Sequence, residues 1–319
     1  YLRLSVTDRC DFRCTYCMSE DVTFLPKKDL LSLEELELIC SVFIDKGIKK
    51  IRISGGEPLV RKNILSLFGK IGKKLNKSNL EELTLTTNGN QLERFSDDLY
   101  NSGVKRINIS LDTLNESKFQ MLTKKNNFQS VLRGIESAKK ANLKIKINTV
   151  LLKKINEDEI NDLIEWCGQN GFDLTLIETM PLGKTNGLTS ENFISLSDFK
   201  NKLSRNWTLE NLNYSSGGPA RYCYVKEANI KLGMITPLSN NFCSDCNRIR
   251  VTCTGKIYMC LGQNNYIDLK EALRSKESYQ SLENLIDKSL SKKPREHSFS
   301  STEFFDSPII KRTMNVTGG

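Results

Sequence analysis

The sequence opens with YLRLSVTDRCDFRCTYC, residues 1–17, in which a predicted strand at 2–6 leads directly into a loop with three cysteines. The same succession recurs further along, because short β-branched runs alternate with amphipathic stretches of ten or more residues. Strand and helix in regular alternation indicate parallel strand pairing with right-handed crossovers. We expect strands at 2–6, 50–54, 82–87, 105–111, 143–150 and 172–177, and helices at 33–46, 62–74, 92–101, 128–141 and 157–169.

Polar side chains cluster where the predicted strands end. Gly55–Glu57 follow the second strand, Thr86–Asn88 close the third, and Asp112 follows the fourth. In a (β/α) barrel every strand end faces the active site, whereas a doubly wound sheet concentrates its ligands in one crevice. The predicted fold class is therefore α/β, an incomplete (β/α)6 TIM-like barrel. We expect this barrel within residues 1–205 and a C-terminal iron–sulfur extension in residues 206–319.

Composition narrows the class of protein. The chain has 38% hydrophobic and 27% charged residues, and no apolar run approaches the roughly 18 to 20 residues of a membrane span, so we expect a cytoplasmic protein without a membrane partner. Its first residues read as a strand, and we expect no secretion signal there. A formal charge of +9 favours anionic partners such as nucleic acid, acidic lipid or a phosphorylated small molecule. With a single histidine, His297, histidine-based acid–base or zinc chemistry is disfavoured.

The ten cysteines fall into two groups and three isolated positions. Cys10, Cys14 and Cys17 form a CxxxCxxC group in the loop after the first predicted strand. Three neighbouring thiolates can bind a [4Fe–4S] cluster through three of its irons and leave the fourth iron open to an exogenous chelate. A structural zinc site needs four ligands, and no fourth cysteine or histidine lies nearby in the sequence. The group therefore predicts an iron–sulfur cluster with an open site.

The second cysteine group lies late in the chain, at Cys243, Cys246, Cys253 and Cys260. Cys243, Cys246 and Cys260 alone give a second triad, which would again leave one iron of a [4Fe–4S] cluster open. With Cys253 added, the four thiolates could instead form a zinc knot. Both interpretations stay open on the sequence.

The first cysteine group and the segment Gly55-Gly56-Glu57-Pro58 together resemble the radical S-adenosylmethionine (SAM) superfamily. Members of that superfamily carry CxxxCxxC after the first barrel strand and a similar glycine motif after the second. Within it, the chain is similar to the GTP 3′,8-cyclase family of molybdenum cofactor biosynthesis over essentially its whole length. The features that carry this likeness are Cys243-Ser-Asp-Cys246-Asn-Arg248-Ile-Arg250, Cys260, the opening Leu2-Arg3-Leu4-Ser5-Val6-Thr7-Asp8-Arg9-Cys10 and the final Gly318-Gly319.

The resemblance implies an enzyme with two [4Fe–4S] clusters, SAM as cofactor and GTP as substrate. In the family, reductive cleavage of SAM gives a 5′-deoxyadenosyl radical that abstracts the C3′ hydrogen of GTP, and this lyase reaction leads to 3′,8-cyclo-7,8-dihydro-GTP. The resemblance further implies an electron donor and a downstream pterin-forming enzyme of the same pathway, and no nucleic-acid partner. It leaves the oligomeric state open, with a homodimer as one option.

The same resemblance implies roles for individual residues. Metal ligands are implied at Cys10, Cys14, Cys17, Cys243, Cys246 and Cys260, and SAM contacts at Tyr16, Gly56, Glu57, Ser110 and Met180. GTP contacts are implied at Arg3, Arg52, Thr86, Lys146, Arg248, Ile249 and Arg250. The first triad, Gly318 and Gly319 are expected to be catalytic, with the glycine tail entering the active site. The family commonly has arginine where this chain has Thr175, and Asp11 and Ser54 replace the usual asparagine and threonine.

Two other functions fit parts of the pattern. A peptide-modifying radical SAM maturase also carries a C-terminal auxiliary cluster, but the Arg248-Ile-Arg250 segment and the terminal glycines argue against it. A nucleic-acid-binding zinc protein would suit the net charge and the CxxC spacing. Against that function stand the few aromatic residues beside the cysteines and the βα scaffold.

Overall fold

The computed structural model describes residues 1–183, 190–297, 299 and 310–318, and its centre is a wall of six parallel strands. The six strands are hydrogen-bonded in chain order, and each pairing between them is parallel. The predicted partial barrel is confirmed, and every predicted strand lies within one residue of the observed bounds. The strands are β1 (Leu2–Ser5), β2 (Lys50–Ser54), β3 (Glu82–Thr87), β4 (Arg106–Ser110), β5 (Lys144–Leu151) and β6 (Asp173–Glu178).

The helices of the barrel alternate with these strands. They are α1 (Leu33–Asp45), α2 (Ile64–Gly72), α3 (Leu92–Asn101), α4 (Glu116–Thr123), α5 (Phe128–Lys140) and α6 (Ile160–Asn170). The sequence did not predict α4, whose buried apolar residues are only Phe119 and Leu122. A side-chain cap starts this helix, because the Asn115 side chain accepts a hydrogen bond from the Lys118 N–H at 3.0 Å. Over the described residues, no helix combines the length and the apolar character that crossing a membrane requires.

The C-terminal part of the chain adds strands to both edges of this parallel sheet. Its elements are α7 (Leu196–Leu203), β7 (Leu209–Leu212), β8 (Arg221–Val225), β9 (Ile230–Ile235), β10 (Ile249–Val251), β11 (Lys256–Tyr258), β12 (Ile267–Asp268), α8 (Lys270–Leu273), α9 (Ser278–Leu290) and α10 (Met314–Thr317). Strand β10 pairs in parallel with β1, and β9 pairs in parallel with β6. The resulting order is β12-β11-β10-β1-β2-β3-β4-β5-β6-β9-β8-β7. The predicted division of the chain at residue 205 stays a prediction.

The pleat of the strands makes the interior of the barrel polar. On β2, Ile51 and Ile53 belong to the hydrophobic core that the strands share with the surrounding helices. The alternate residues Arg52 and Ser54 point the other way and line interior cavities. The site therefore lies inside the barrel, on the face opposite the helices.

Candidate active site

The first cysteine triad lies in the loop that follows β1, and the loop after β2 packs directly on it. The backbone N–H groups of Gly56 and Glu57 donate to the carbonyl oxygens of Thr7 at 2.7 Å and Arg9 at 2.8 Å. A Cβ atom on Gly56 would lie 2.3 Å from the Arg9 carbonyl oxygen, and one on Gly55 would lie 2.7 Å from that of Thr7. Because no side chain fits in these gaps, the two glycines position the cysteine loop.

Glu57 ties the ends of β2 and β3 together. Its buried carboxylate accepts hydrogen bonds from the Thr87 hydroxyl at 2.9 Å, the Asn88 N–H at 2.7 Å and the Leu59 N–H at 3.0 Å. Burial raises the pKa of this carboxyl to about 8, although the three donors favour its ionised form. Among the described lining residues of the two cavities below, Glu57 does not occur. Glu57 therefore stabilises the strand ends next to the cavities. Its role as a SAM contact stays a prediction.

The three thiols open into what we call the first cavity, at the carboxyl ends of the barrel strands. Its described lining includes two acidic residues, Asp112 and Glu178, and no lysine or arginine. The Glu178 carboxylate accepts hydrogen bonds from the backbone N–H groups of Leu196, Leu238 and Ser239, which lie outside this lining. Burial raises the pKa of the Cys17 thiol to about 12, so a bound cationic centre is needed for a thiolate near neutral pH. The lining brings together the predicted SAM contacts Tyr16, Gly56, Ser110 and Met180, with Ser54, Gly55, Asn88 and Asn148 beside them.

Asp112 is a polar residue of the first cavity to which the sequence assigned no role. Its carboxylate accepts hydrogen bonds from the Tyr16 hydroxyl at 2.6 Å and from the Val150 N–H at 2.8 Å. Burial raises the pKa of this carboxyl to about 6, against the opposing effect of those two donors. The sequence analysis had placed it only among the polar residues at the strand ends, and its hydrogen bond to Tyr16 was not predictable from that position.

The second cysteine triad frames another cavity, which we call the second cavity. Cys243 and Cys246 precede β10, Cys260 follows β11, and all three line this space. Cys253 is fully buried elsewhere, and its carbonyl accepts a hydrogen bond from the Leu31 N–H at 2.8 Å. In the described parts of the chain, no three His, Cys, Asp or Glu side chains are placed to hold a single metal ion. The structure therefore does not gather four cysteines into a zinc knot.

Lys293 holds the second triad against β10 and β11. Its ammonium group donates to the carbonyl oxygens of Arg248 and Met259, each at 2.9 Å, and lies 3.9 Å from the Cys246 sulfur. Burial alone would raise the pKa of the Cys246 thiol, but Arg248 and Lys293 outweigh it and lower that pKa. No motif in the sequence pointed to Lys293, which lies 47 residues from Cys246.

Five cationic side chains line the second cavity, and its described lining contains no carboxylate. Burial lowers the pKa of Arg3 to about 10 and also lowers those of Lys146 and Arg250, because the charged forms lose water and repel one another. Burial would raise the pKa of the Tyr1 hydroxyl, but the neighbouring cations Arg52, Arg3, Lys50 and Arg248 outweigh it and lower that pKa to about 8. An anion would relieve this accumulated charge. The five residues, all predicted GTP contacts, are Arg3, Arg52, Lys146, Arg248 and Arg250.

Two predicted GTP contacts lie outside the described lining of the second cavity. Thr86 lines the first cavity, and its hydroxyl accepts a hydrogen bond from the Arg52 guanidinium at 3.4 Å. Ile249 is buried in β10, where its N–H donates to the Tyr1 carbonyl at 3.0 Å. The roles of both residues as GTP contacts stay predictions.

The C-terminal tail reaches the interior of the barrel. The Arg250 guanidinium donates to the Gly318 carbonyl at 3.0 Å, and the Asn315 amide donates to the Asp8 carbonyl at 3.0 Å. Gly318 has a φ of +76°, and a Cβ atom there would lie 2.2 Å from the Ser54 hydroxyl oxygen. Only glycine suits this position. Gly319, the other predicted tail residue, lies outside the described residues.

The two cavities adjoin inside the barrel. Four residues occur in both linings, namely Asn148, Ile177, Met180 and Met314. Met314 belongs to α10, and no motif in the sequence pointed to it. Molecules bound in the two cavities would meet across this boundary.

Two family models match most of the chain, and known proteins match its whole length. A model for the Radical SAM superfamily matches residues 4–167, and a model described as Molybdenum Cofactor Synthesis C matches residues 172–299. The chain is 52% identical over 319 residues to the GTP 3′,8-cyclase of Brucella canis, covering 100% of this chain and 93% of that protein. It is likewise 52% identical over 319 residues to the GTP 3′,8-cyclase of Rhizobium etli, covering 100% of this chain and 91% of that protein.

Solved structures agree on the fold. SuiB of Streptococcus suis bound to S-adenosylmethionine has a TM-score of 0.60 at 16% identity, covering 88% of this chain and 67% of that chain. Native anSMEcpe with bound AdoMet has a TM-score of 0.51 at 21% identity, covering 65% of this chain and 59% of that chain. At these identities the likeness concerns the fold alone, whereas the identity to the curated cyclases extends over the whole chain. The chain therefore belongs to the GTP 3′,8-cyclase family of radical SAM enzymes, which acts in molybdenum cofactor biosynthesis.

Proposed function

We propose that, in the GTP 3′,8-cyclase reaction, SAM binds in the first cavity and GTP binds in the second. The opposite charge of their linings carries this assignment. The described lining of the first cavity has two acidic residues and no lysine or arginine, whereas that of the second has five cationic residues and no acidic one. SAM carries a positively charged sulfonium, and the triphosphate of GTP carries about four negative charges, which suit several cations.

The cysteine triads fit iron–sulfur clusters. As a radical SAM enzyme the chain uses SAM and an iron–sulfur cluster, and Cys10, Cys14 and Cys17 are the residues that would hold that cluster. We propose a second [4Fe–4S] cluster on Cys243, Cys246 and Cys260, because this triad also offers three sulfurs without a fourth. When bound, the first cluster supplies the electron for the reductive cleavage of SAM.

In the first cavity the protein's task is to orient SAM. The Tyr16 hydroxyl fixes the Asp112 carboxylate at the cavity wall, where its negative charge favours the sulfonium cation. Gly56 offers backbone without a side chain, which permits close approach of the methionine part of SAM. Ser110 supplies a hydroxyl on the neighbouring strand end, and Met180 an apolar surface at the boundary to the second cavity.

In the second cavity the cations position GTP. Arg3, Arg52 and Lys146 lie on strands of the barrel interior and would bind the triphosphate. Arg248 and Arg250 lie near the second triad, where the guanine base would contact the second cluster. This orientation directs the ribose towards the boundary with the first cavity. Proximity across that boundary is what transfer of the C3′ hydrogen requires.

The reaction also implies partners outside the chain. Reductive cleavage of SAM consumes an electron, so we propose an external electron donor. The cyclised nucleotide would be the substrate of a downstream pterin-forming enzyme. We propose that the protein acts in the cytoplasm, and we leave its oligomeric state, including a homodimer, to direct measurement.

Nucleotide-dependent SAM cleavage tests this proposal. Under anaerobic conditions with reductant and SAM, the reconstituted protein should form 5′-deoxyadenosine when GTP is present. It should hold about eight irons per chain, four for each cluster. Arg248→Ala should weaken GTP binding more than it slows radical formation. Equal 5′-deoxyadenosine formation without GTP, or a protein that holds only zinc, would contradict the proposal.

A further inference from the structure

Lys146 lines the second cavity, and its ammonium group has a defined partner on the side away from that cavity. Its Nζ donates a hydrogen bond to the Tyr222 hydroxyl on β8 at 3.1 Å. Both residues are deeply buried, each with 6% of its surface exposed. Tyr222 is absent from the described lining of the cavity. It therefore lies behind the lining and contacts it through Lys146 and Ser216.

The hydroxyl of Tyr222 has a fixed direction. It donates its single proton to the Ser216 hydroxyl oxygen at 2.8 Å, so the phenol oxygen is free to accept from the Lys146 ammonium. The Ser216 carbonyl in turn accepts a hydrogen bond from Lys50 at 2.6 Å. The glycine-rich segment Ser215–Pro219, to which the sequence assigned no role, thus anchors a short chain of hydrogen bonds that ends on Lys146.

The aromatic ring of Tyr222 packs against Gly233 and Tyr214. Gly233 on β9 leaves room for it, since a Cβ atom there would lie 2.9 Å from the ring carbon Cε1. Tyr214 packs edge-on against the ring, with centroids 5.0 Å apart and planes at 74°. The packing of the ring therefore fixes the position of the hydroxyl on β8, which pairs with β9 beside the barrel.

The buried ammonium group of Lys146 would be stabilised by an anionic ligand. Burial, together with the cations Arg52 and Arg106, lowers its pKa well below the usual range. Among the described residues, no carboxylate forms an ion pair with it, whereas Lys50 and Arg106 both pair with Glu82 at 2.8 Å and 2.6 Å. Of its three N–H bonds, the one to Tyr222 leaves two for a ligand in the cavity.

We propose that Tyr222 is a positioning residue for the triphosphate of GTP, because its hydroxyl holds the Lys146 ammonium with its remaining N–H bonds towards the second cavity. The inference rests on the proposed location of GTP in that cavity. A lysine that is already held in one conformation loses less freedom when it binds a phosphate, and this preorganisation strengthens binding. Tyr222 should therefore affect the affinity for the phosphates of GTP and not the affinity for the guanine base.

The test compares two tyrosines of the same strand. Tyr222→Phe removes the hydroxyl and keeps the ring, whereas the control Tyr224→Phe removes a hydroxyl that donates to the Asn229 side chain in the turn between β8 and β9. In the reconstituted holoenzyme, Tyr222→Phe should raise the Kd and KM for GTP about 3- to 10-fold, the loss of one hydrogen bond's contribution. The Kd for guanosine, the kcat and the iron content should match the wild type, and the melting temperature should fall only slightly, because Lys146 and Ser216 lose one buried hydrogen-bond partner. Tyr224→Phe should change none of these values.

Two outcomes would overturn the inference on its own. One is an unchanged affinity for GTP in Tyr222→Phe, and the other is an equal loss for GTP and guanosine. Lys146→Ala and Arg52→Ala separate this failure from that of the proposed GTP site. If both variants weaken GTP binding and Tyr222→Phe does not, only the role of Tyr222 is wrong. If neither variant weakens it, GTP binds elsewhere and both proposals are wrong.

Discussion

The two cavities contain the same kind of cysteine triad but differ in the charge around it. In the first cavity the thiols lie near Asp112, and burial leaves their pKa values raised. In the second, Arg248 and Lys293 lower the pKa of the Cys246 thiol. Cysteine spacing alone therefore does not determine what each site binds. In the proposed assignment, the charges that barrel strands and strand ends place around the thiols distinguish a site for a cation from a site for an anion.

The largest expected effect comes from removing one triad at a time. A variant with Cys10, Cys14 and Cys17 changed to alanine should keep about four irons per chain and lose SAM cleavage altogether. The matched variant at Cys243, Cys246 and Cys260 should also keep about four irons and still bind SAM, but form no cyclised product. Iron analysis and product assays under anaerobic conditions check both. If the second variant kept about eight irons, the second triad would not be a cluster site.

The next effect concerns the cations of the second cavity. Arg52→Met keeps much of the side-chain volume and removes the charge, so we expect the Kd for GTP to rise about 10- to 100-fold, the range for a charge-assisted hydrogen bond. The Kd for SAM should stay within about twofold. Arg133→Ala is the control, because Arg133 is an exposed residue paired with Glu93. An equal loss of affinity for GTP and SAM would show that the charge of the second cavity does not select GTP.

A smaller effect is expected at Asp112 in the first cavity. With its pKa raised to about 6 by burial, this carboxyl is charged above that pH and protonated below it. The affinity for SAM should therefore fall as the pH drops through about 6, by about tenfold for a one-unit difference in pKa between bound and free states. Asp112→Asn should bind SAM weakly and show little of this pH dependence. A wild-type affinity that is constant from pH 5.5 to 8 would contradict the role of Asp112.

The smallest effect is expected at Cys253, which belongs to neither cavity. Cys253→Ala should cost about 1 kcal/mol in the free energy of unfolding, as a small buried truncation does. Iron content and GTP binding should be unchanged. Loss of iron in this variant would restore the interpretation in which four thiolates bind one metal.

The barrel could be predicted from the sequence because its signal is local. The strand β2 alternates Ile51 and Ile53 with Arg52 and Ser54, and turn or polar residues follow each strand. The short strands β10 and β12 had no such signal. Strand β10 has three residues and β12 has two, too few to show a period of two, and their pairing depends on distant parts of the chain.

The grouping of each cysteine triad at one cavity could also be predicted, because it follows from the spacing in the sequence, whereas their role as cluster ligands stays a prediction. The residues around them could not, because their positions depend on contacts between distant segments. Lys293 reaches Cys246 from 47 residues away, and Tyr222 reaches Lys146 from 76 residues away. Glu57 shows a further limit, since the motif that contains it does not reveal that its carboxylate points to the β3 end. Spacing identifies a donor set, but it does not give side-chain directions.

Deuterium transfer between the cavities tests the central claim most directly. If SAM and GTP occupy the two cavities and meet at their shared boundary, GTP labelled with deuterium at C3′ should pass that deuterium to 5′-deoxyadenosine. We therefore predict 5′-deoxyadenosine that carries deuterium from this GTP and none from GTP labelled at C8. Unlabelled 5′-deoxyadenosine from the C3′-labelled substrate would contradict the arrangement of the two cavities.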